Sequence, residues 1–152
     1  MYKITRKAES GRSMLEIIGV LAIMTIMSAG AFVMIRSAMA TQRRNTVMDD
    51  FSKIVTGVRT LFADYDNLKD WTSGDDVLAA MAIDDNGPYS GSKYAVTVDK
   101  TDASFQTFRV SITHVPDRDC IVLAKKSWPG AVKNSVKYNC NGTGFVNVAY
   151  TK

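Results

Sequence analysis

The sequence predicts an α+β protein in which a long N-terminal helix packs on a small, mostly antiparallel sheet. Three observations support this prediction. The first is an apolar run of 19 residues, 17–35, which contains no Asp, Glu, Lys or Arg. The second is a change in periodicity, from helical spacing before Tyr65 to strand alternation after Lys93. The third is a late pair of cysteines, Cys120 and Cys140, which are the only two in the chain.

Composition allows one domain of modest size beyond the apolar run and gives no sign of nucleic-acid binding. The chain has 152 residues and a formal net charge of +4. Because it has no block of like charges, we expect no nucleic-acid partner. Two cysteines and one histidine make a metal site an unfavourable interpretation. The sequence shows no nucleophile paired with a base and no phosphate loop, so it predicts no catalytic residues and no cofactor.

The apolar run has the length and composition of a membrane-spanning helix. At about 1.5 Å per residue, it extends over roughly 28 Å, close to the hydrocarbon thickness of a bilayer. Basic residues precede the run and favour an orientation with the N-terminus inside and the C-terminus outside. A secretory signal cut near Ala31 is the alternative. Against that alternative, the run continues to Ile35 beyond the possible cleavage site at residues 29–31.

A second apolar pattern continues the helix beyond the membrane boundary. Between Val47 and Tyr65, apolar residues recur mostly at steps of three and four, which places them on one helical face. Proline is missing between residues 17 and 65, so the sequence predicts one helix of about 49 residues. Its first half is apolar all round and its second half is amphipathic. Two helices, broken near Gly30 or near residues 40–41, are the alternative.

The remainder of the chain predicts short elements of both kinds. Turn residues at 64–67 end the long helix, and Pro116 suits the first turn of a later one. The expected elements are a short helix after 73–76, strands at 93–98 and 105–113 joined as a hairpin, a helix at 116–124 whose apolar part could instead be strand, a weak strand within 132–138, and a C-terminal strand at 145–150. We expect Phe108, Val110 and Ile112 to share one face of their strand.

The two cysteines are expected to form a disulfide bond if the C-terminal part lies outside the cytoplasm. Cys120 and Cys140 would then meet an oxidising compartment, where thiols pair. A loop of this size would contribute about 3 kcal/mol by the chain-entropy estimate. The alternative is two buried free thiols in a cytosolic protein.

Glu16 is the anomalous residue at the start of the apolar helix. A charge in lipid is costly and needs a partner. Cutting the bond between Gly11 and Arg12 would create a new amine on Arg12, four residues before Glu16. In parallel helices stepped along an axis, one carboxylate could meet the next chain's amine and fix the axial step. The alternative is that Glu16 simply lies at the membrane interface.

These features together resemble the N-terminus of a type IV pilin. The matching segment is Gly11-Arg-Ser-Met-Leu-Glu16, with a short basic leader before it and the long apolar helix after it. Residues 21–24 and 28–30 resemble the type IVb subclass, such as the toxin-coregulated pilin. The match is specific over residues 8–45 and architectural beyond them.

The resemblance implies a processed N-terminus. Residues 1–11 would be a leader that a prepilin peptidase removes after Gly11, methylating the new N-terminus at Arg12. Glu16 would be the assembly carboxylate. The resemblance also implies that residues 12–35 form the membrane and filament-core helix.

The rest of the chain, 36–152, would be the amphipathic continuation and an α+β head. Its disulfide between Cys120 and Cys140 would bound the last region of that head. The implied partners are other copies in a homopolymeric filament, the peptidase, the inner-membrane assembly machinery and the membrane itself. The precursor would lie in a bacterial inner membrane, and the mature protein in an extracellular pilus.

Three features depart from the family pattern. The first mature residue would be Arg12, where the family usually has an apolar residue. Val33 stands where many type IVa pilins have a proline, so a bend would have to use Gly19 or Gly30. The head is small, which leaves a minor pilin or a type II secretion pseudopilin as alternatives. A single-pass anchored binding domain is the alternative from another class.

Overall fold

The computed structural model describes residues 10–69, 71, 74–142 and 144–152. Their elements in chain order are α1 Ser10–Leu61, α2 Gly74–Ala80, β1 Tyr94–Val98, β2 Thr107–Val115, α3 Asp117–Ala124, β3 Lys137–Asn139 and β4 Gly144–Thr151. The chain divides into two compact units, residues 1–39 and 40–152. The predicted α+β class is confirmed.

The predicted single N-terminal helix is also confirmed. α1 is continuous over 52 residues, including Gly19, Gly30 and residues 40–41, where the sequence allowed a bend or a break. In the first unit, every large apolar side chain of residues 14–35 is 49–78% exposed. The hydroxyls of Thr25 and Ser28 donate to carbonyls of the same helix at 2.7–3.1 Å. This half of α1 therefore satisfies these polar groups internally, as a lipid environment requires.

In the second unit, α1 buries one stripe of side chains in the core. Val47, Phe51, Ile54 and Val58 recur at steps of four, three and four and are buried. The stripe then continues to Phe62, which stacks on Trp71 with ring centroids 4.9 Å apart. The predicted inward positions of Leu61 and Tyr65 are wrong, since both are exposed. They are exposed because α1 ends at residue 61 and the chain turns at 62–64.

The sheet has four antiparallel strands in the order β1-β2-β4-β3. Val96, Val110 and Val148 are aligned across three neighbouring strands. They belong to the buried face of the sheet, which the alternation of each strand creates. Phe51 of α1 reaches this face and contacts Tyr94, with ring centroids 6.0 Å apart.

The predicted hairpin of the first two strands is present, but β2 begins two residues later than expected. The carboxylate of Asp102 accepts hydrogen bonds from the backbone N–H groups of Ser104 and Gln106 and from the Thr107 hydroxyl. These bonds fold the connection into a turn in which Phe105 has a φ of +52°. The strand can start only after that turn.

The prediction of a weak strand within 132–138 is mostly wrong. Only Lys137–Asn139 pairs as a strand, with β4. Directly before this segment, Ala131 forms an isolated bridge with Tyr150. Asn134 has a φ of +58°, which interrupts an extended chain.

The helix expected near residue 120 is present as α3, and the strand alternative is excluded. Pro116 directly precedes its first turn, which contains Asp117 and Asp119. Acidic residues at this end interact favourably with the helix dipole. The side chains of Cys120 and Leu123, both in α3, are buried in the core.

The end of α2 provides a test of local backbone conformation. Ala82 has a φ of +53°, and the N–H of Ile83 donates to the carbonyl of Leu78. Glycine usually fills this position, because a Cβ is unfavourable there. Replacing Ala82 with Gly should therefore raise the free energy of unfolding by about 0.5–1 kcal/mol. Chemical denaturation of the chain in non-ionic detergent, followed by circular dichroism, measures this change.

The matched control is Ala79→Gly, inside the same helix. Since glycine there loses helix propensity, this variant should lower the free energy of unfolding by about 1 kcal/mol. Equal losses from both variants would contradict the left-handed conformation of Ala82.

The connection between β1 and β2 holds two carboxylates with lowered pKa values. Hydrogen bonds from Thr101, followed by the ion pair with Arg109 at 2.6 Å, hold the pKa of Asp99 below its usual value. Hydrogen bonds from the side chains of Ser104 and Thr107 lower the pKa of Asp102 to about 2.

These pKa values predict an acid-sensitive head. Because the unfolded chain binds protons more readily at Asp99 and Asp102, their stabilisation is present above pH about 4 and lost as the pH falls towards 2. Asp102→Asn should make the free energy of unfolding less dependent on pH in this window. Denaturation at a series of pH values measures this slope. The control is Asp64→Asn, whose carboxylate accepts no hydrogen bond in the described part of the chain; an equal effect there would contradict the assignment.

Candidate functional site

The segment singled out by its sequence lies in the first two turns of α1. This helix begins at Ser10 and includes Gly11, Arg12 and Glu16. The rest of the predicted leader, residues 1–9, lies outside the described residues. The carboxylate of Glu16 is exposed, and it forms no hydrogen bond or ion pair with the described residues. It is therefore available to a cation from another molecule.

The surroundings of Glu16 are apolar. Ile17, Val20 and Leu21 line the same depression on the helix surface as the carboxylate. All three side chains are about half exposed. If lipid or another helix covers this surface, Glu16 is placed in a medium of low dielectric constant, where an unpaired charge is unfavourable.

A cation lies near the C-terminal end of the exposed apolar surface of α1. Arg36 places its guanidinium carbon 4.5 Å from the centre of the Phe32 ring, a cation–π contact. In the described chain, α1 is the one helix long and apolar enough to cross a membrane, judged by length and composition. A signal sequence near an N-terminus has the same properties. The helix therefore indicates membrane anchoring or a signal sequence.

The predicted disulfide bond between Cys120 and Cys140 is present, with 5.6 Å between the two Cα atoms. It joins α3 to the residue that follows β3. Gly144 at the start of β4 lies against this bond, and a Cβ there would come within 3.2–3.3 Å of the Cys120 side chain. The same Cβ would meet the Val115 carbonyl at 2.5 Å, so only glycine fits between the bond and β2.

An ion pair ties α1 to this disulfide-bonded region. Arg44 donates from Nε to the Asp119 carboxylate at 2.8 Å, with the two side chains only 22% and 12% exposed. Tyr89 lies close enough that its burial, followed by the negative charge of Asp119, raises the pKa of its hydroxyl. Asp119 directly precedes Cys120, so α1 is connected to the residue that carries the disulfide.

Sequence reasoning missed this ion pair and one further contact. Arg44 and Asp119 are 75 residues apart, and no periodicity relates them. Trp128 packs on Phe51, with ring centroids 4.7 Å apart, and donates from Nε1 to the Leu123 carbonyl at 3.1 Å. A large aromatic residue within a disulfide loop was the available signal that it packs inward.

The chemistry of these groups is that of packing and pairing. Among the described residues, no cluster of three His, Cys, Asp or Glu side chains could hold a metal ion. The expectation that the protein is not an enzyme stays a prediction.

No protein-family model and no curated protein sequence matches the chain. The architecture is pilin-like. A long apolar N-terminal helix is followed by a small four-stranded antiparallel sheet with one disulfide bond. This likeness concerns the arrangement of elements alone, and the N-terminal segment carries the argument about function.

Proposed function

We propose that this protein is a structural subunit, a prepilin that is cut after Gly11 and polymerises into a type IV, IVb-like pilus. The observation that carries this proposal is Glu16, a carboxylate with no partner among the described residues, beside exposed apolar side chains at the start of α1. Such a pilus would serve adhesion, aggregation, motility or conjugation.

The exposed half of α1 supports assembly. Its large apolar side chains are 49–78% exposed over residues 14–35. Apolar surface of this extent is covered by lipid or by protein in a stable state. Lipid would cover it before assembly, and the same half of other copies would cover it in the filament. The helix would then be a temporary anchor.

Glu16 would set the spacing of the copies. Cleavage after Gly11 provides a cation at Arg12, the new α-amine, four residues from the carboxylate. Between copies stepped along an axis, carboxylate and amine can pair. Removing one partner of such a buried pair costs about 3–5 kcal/mol.

The partners follow from this processing. A prepilin peptidase would cut the chain and methylate the new N-terminus, and the inner-membrane assembly machinery would extract the subunit. The precursor would lie in a bacterial inner membrane with its C-terminal part outside. The disulfide between Cys120 and Cys140 supports that placement, since such bonds persist in oxidising compartments.

One observation favours a second candidate in the same class. The disulfide encloses a short region, with a sequence separation of 20 between the cysteines, which is small for a type IVb head. A minor pilin or a type II secretion pseudopilin would suit this size. Abundance in sheared surface filaments distinguishes these subunits from a major pilin. A single-pass anchored binding domain would give no filaments.

Processing is tested by the mature N-terminus. Intact mass and N-terminal sequencing of cell-surface material should show Arg12 as the first residue, with or without one added methyl group. Gly11→Asp should block the cut, because the site requires the small residue, and leave full-length precursor in the membrane. A start at Met1 in wild-type surface material, or a start beyond Ala31, would contradict the proposal.

Assembly is tested by replacing Glu16 with Gln, which keeps the shape and removes the charge. Because the intermolecular ion pair is lost, surface filaments should fall at least tenfold, while the protein stays in the membrane fraction. Electron microscopy and immunoblots of sheared material measure both quantities.

The matched control for that experiment is Thr25→Val in the same apolar helix. Thr25 bonds only to carbonyls of α1 at 2.8–3.1 Å, so its loss should leave filament yield unchanged. Wild-type filament yield from Glu16→Gln would show that the carboxylate does not set the spacing.

A further inference from the structure

A small cavity in the second unit has no assigned role. It lies between the amphipathic half of α1, the end of β4 and the loop at residues 128–129. Its volume is about 130 Å³, well above the roughly 10–15 Å³ that one ordered water requires. Arg59, Trp128 and Tyr150 are among the side chains that line it.

Arg59 is only partly committed to the protein. Its Nε donates to the Thr151 carbonyl at 3.0 Å, which fixes the plane of the guanidinium. The Nη1 and Nη2 atoms have no acceptor among the residues that the structure describes. Both atoms lie 3.8 Å from the place where a Cβ on Gly130 would stand, an ordinary contact distance, so the loop passes beside the guanidinium without blocking it. Four N–H donors are thus available on one fixed fork.

Tyr150 supplies a second uncommitted donor. The ring is buried, but the hydroxyl oxygen is not among the fully buried polar atoms, and it has no hydrogen-bond partner within the described residues. Burial raises the pKa of Tyr150 to about 12, while the charge of Arg59 acts in the opposite direction. The hydroxyl therefore keeps its proton at neutral pH. Because Tyr150 lines the cavity and its hydroxyl has no protein partner, this hydroxyl can donate a hydrogen bond to a ligand there.

The other side chains that line the cavity restrict the kind of ligand that it can bind. The hydroxyls of Ser52 and Thr56 already donate to α1 carbonyls at 2.9 and 2.8 Å, so the available donors are those of Arg59 and Tyr150. Trp128 and Pro129 form an apolar wall. One positive charge, one neutral donor and an apolar wall match a singly charged anion with a small apolar part. An arginine fork binds a carboxylate through two parallel hydrogen bonds.

We propose that this cavity is a carboxylate-binding site, in which the Nη atoms of Arg59 hold both oxygens and the Tyr150 hydroxyl donates to one of them. The carboxylate can come from a free small molecule or from an acidic side chain of a second copy of this chain. The second source rests on the proposed assembly, whereas the site itself does not.

Trp128 reports directly on this site. The chain has two tryptophans, so Trp71→Phe leaves Trp128 as the single reporter and keeps an aromatic ring beside Phe62. The full chain of this parent variant, in non-ionic detergent, is titrated with sodium acetate against sodium chloride at equal ionic strength. Fluorescence of Trp128 should change along a saturable curve with acetate and show no saturation with chloride.

Variants of the two donors decide whether the site binds as proposed. Added to the parent, Arg59→Met should weaken acetate binding at least tenfold, and Tyr150→Phe several-fold. Arg118→Met is the matched control on exposed α3 and should bind as the parent does. Circular dichroism at each titration point shows that the variants are folded, and Tyr150→Phe removes a single atom from a buried ring. Parent-like saturation in Arg59→Met, or equal responses to acetate and chloride, would overturn the proposal.

The source of the carboxylate is a separate measurement. Sedimentation of the parent over a range of protein concentrations reports self-association in the presence of acetate or chloride. If a second copy supplies the carboxylate, acetate weakens self-association of the parent and has no effect on Arg59→Met. If the ligand is a free carboxylate, acetate saturates the Trp128 signal and self-association is unchanged. The titration gives its result whether or not the chain forms filaments, so failure of the assembly proposal is distinguishable from failure of the site.

Discussion

The head depends on one stripe of α1 being covered by the sheet and its connections. Phe51 is at the centre of this contact, between Tyr94 of β1 and Trp128 of the disulfide-bonded region. Apolar burial of this kind is the main favourable term in folding. The short strands need it, because a small sheet with one apolar face has little stability alone. The same helix carries an apolar half whose large side chains are exposed, so only its second half contributes to this core.

The helices and strands whose apolar residues recur at a regular spacing could be predicted from the sequence. α1, the hairpin of β1 and β2, α3 and the C-terminal strand each depend on spacing that neighbouring residues define. The boundaries that sequence reasoning missed depend on particular side chains and backbone angles. Asp102 delays β2 by organising a turn, and Asn134 interrupts the strand expected within 132–138. No periodicity encodes either effect.

The candidate sites divide in the same way. Glu16 could be identified because a single charge at the edge of an apolar run is visible in the sequence. The cysteine pair could be identified because two cysteines allow one pairing. Arg44 with Asp119, and Arg59 with Tyr150, could not be identified. Each pair joins the amphipathic helix to a distant element, and only the fold brings the groups together.

The link between Arg44 and Asp119 has a mechanical consequence. A pulling force on the second half of α1 is transmitted through this ion pair to α3, one residue before Cys120. The disulfide bond then carries the load directly from Cys120 to Cys140. The 19 residues between them are bypassed. Without the bond they could lengthen the chain by roughly 65 Å, taking about 3.4 Å per extended residue. The closed loop thus limits the extension of the segment that contains Trp128.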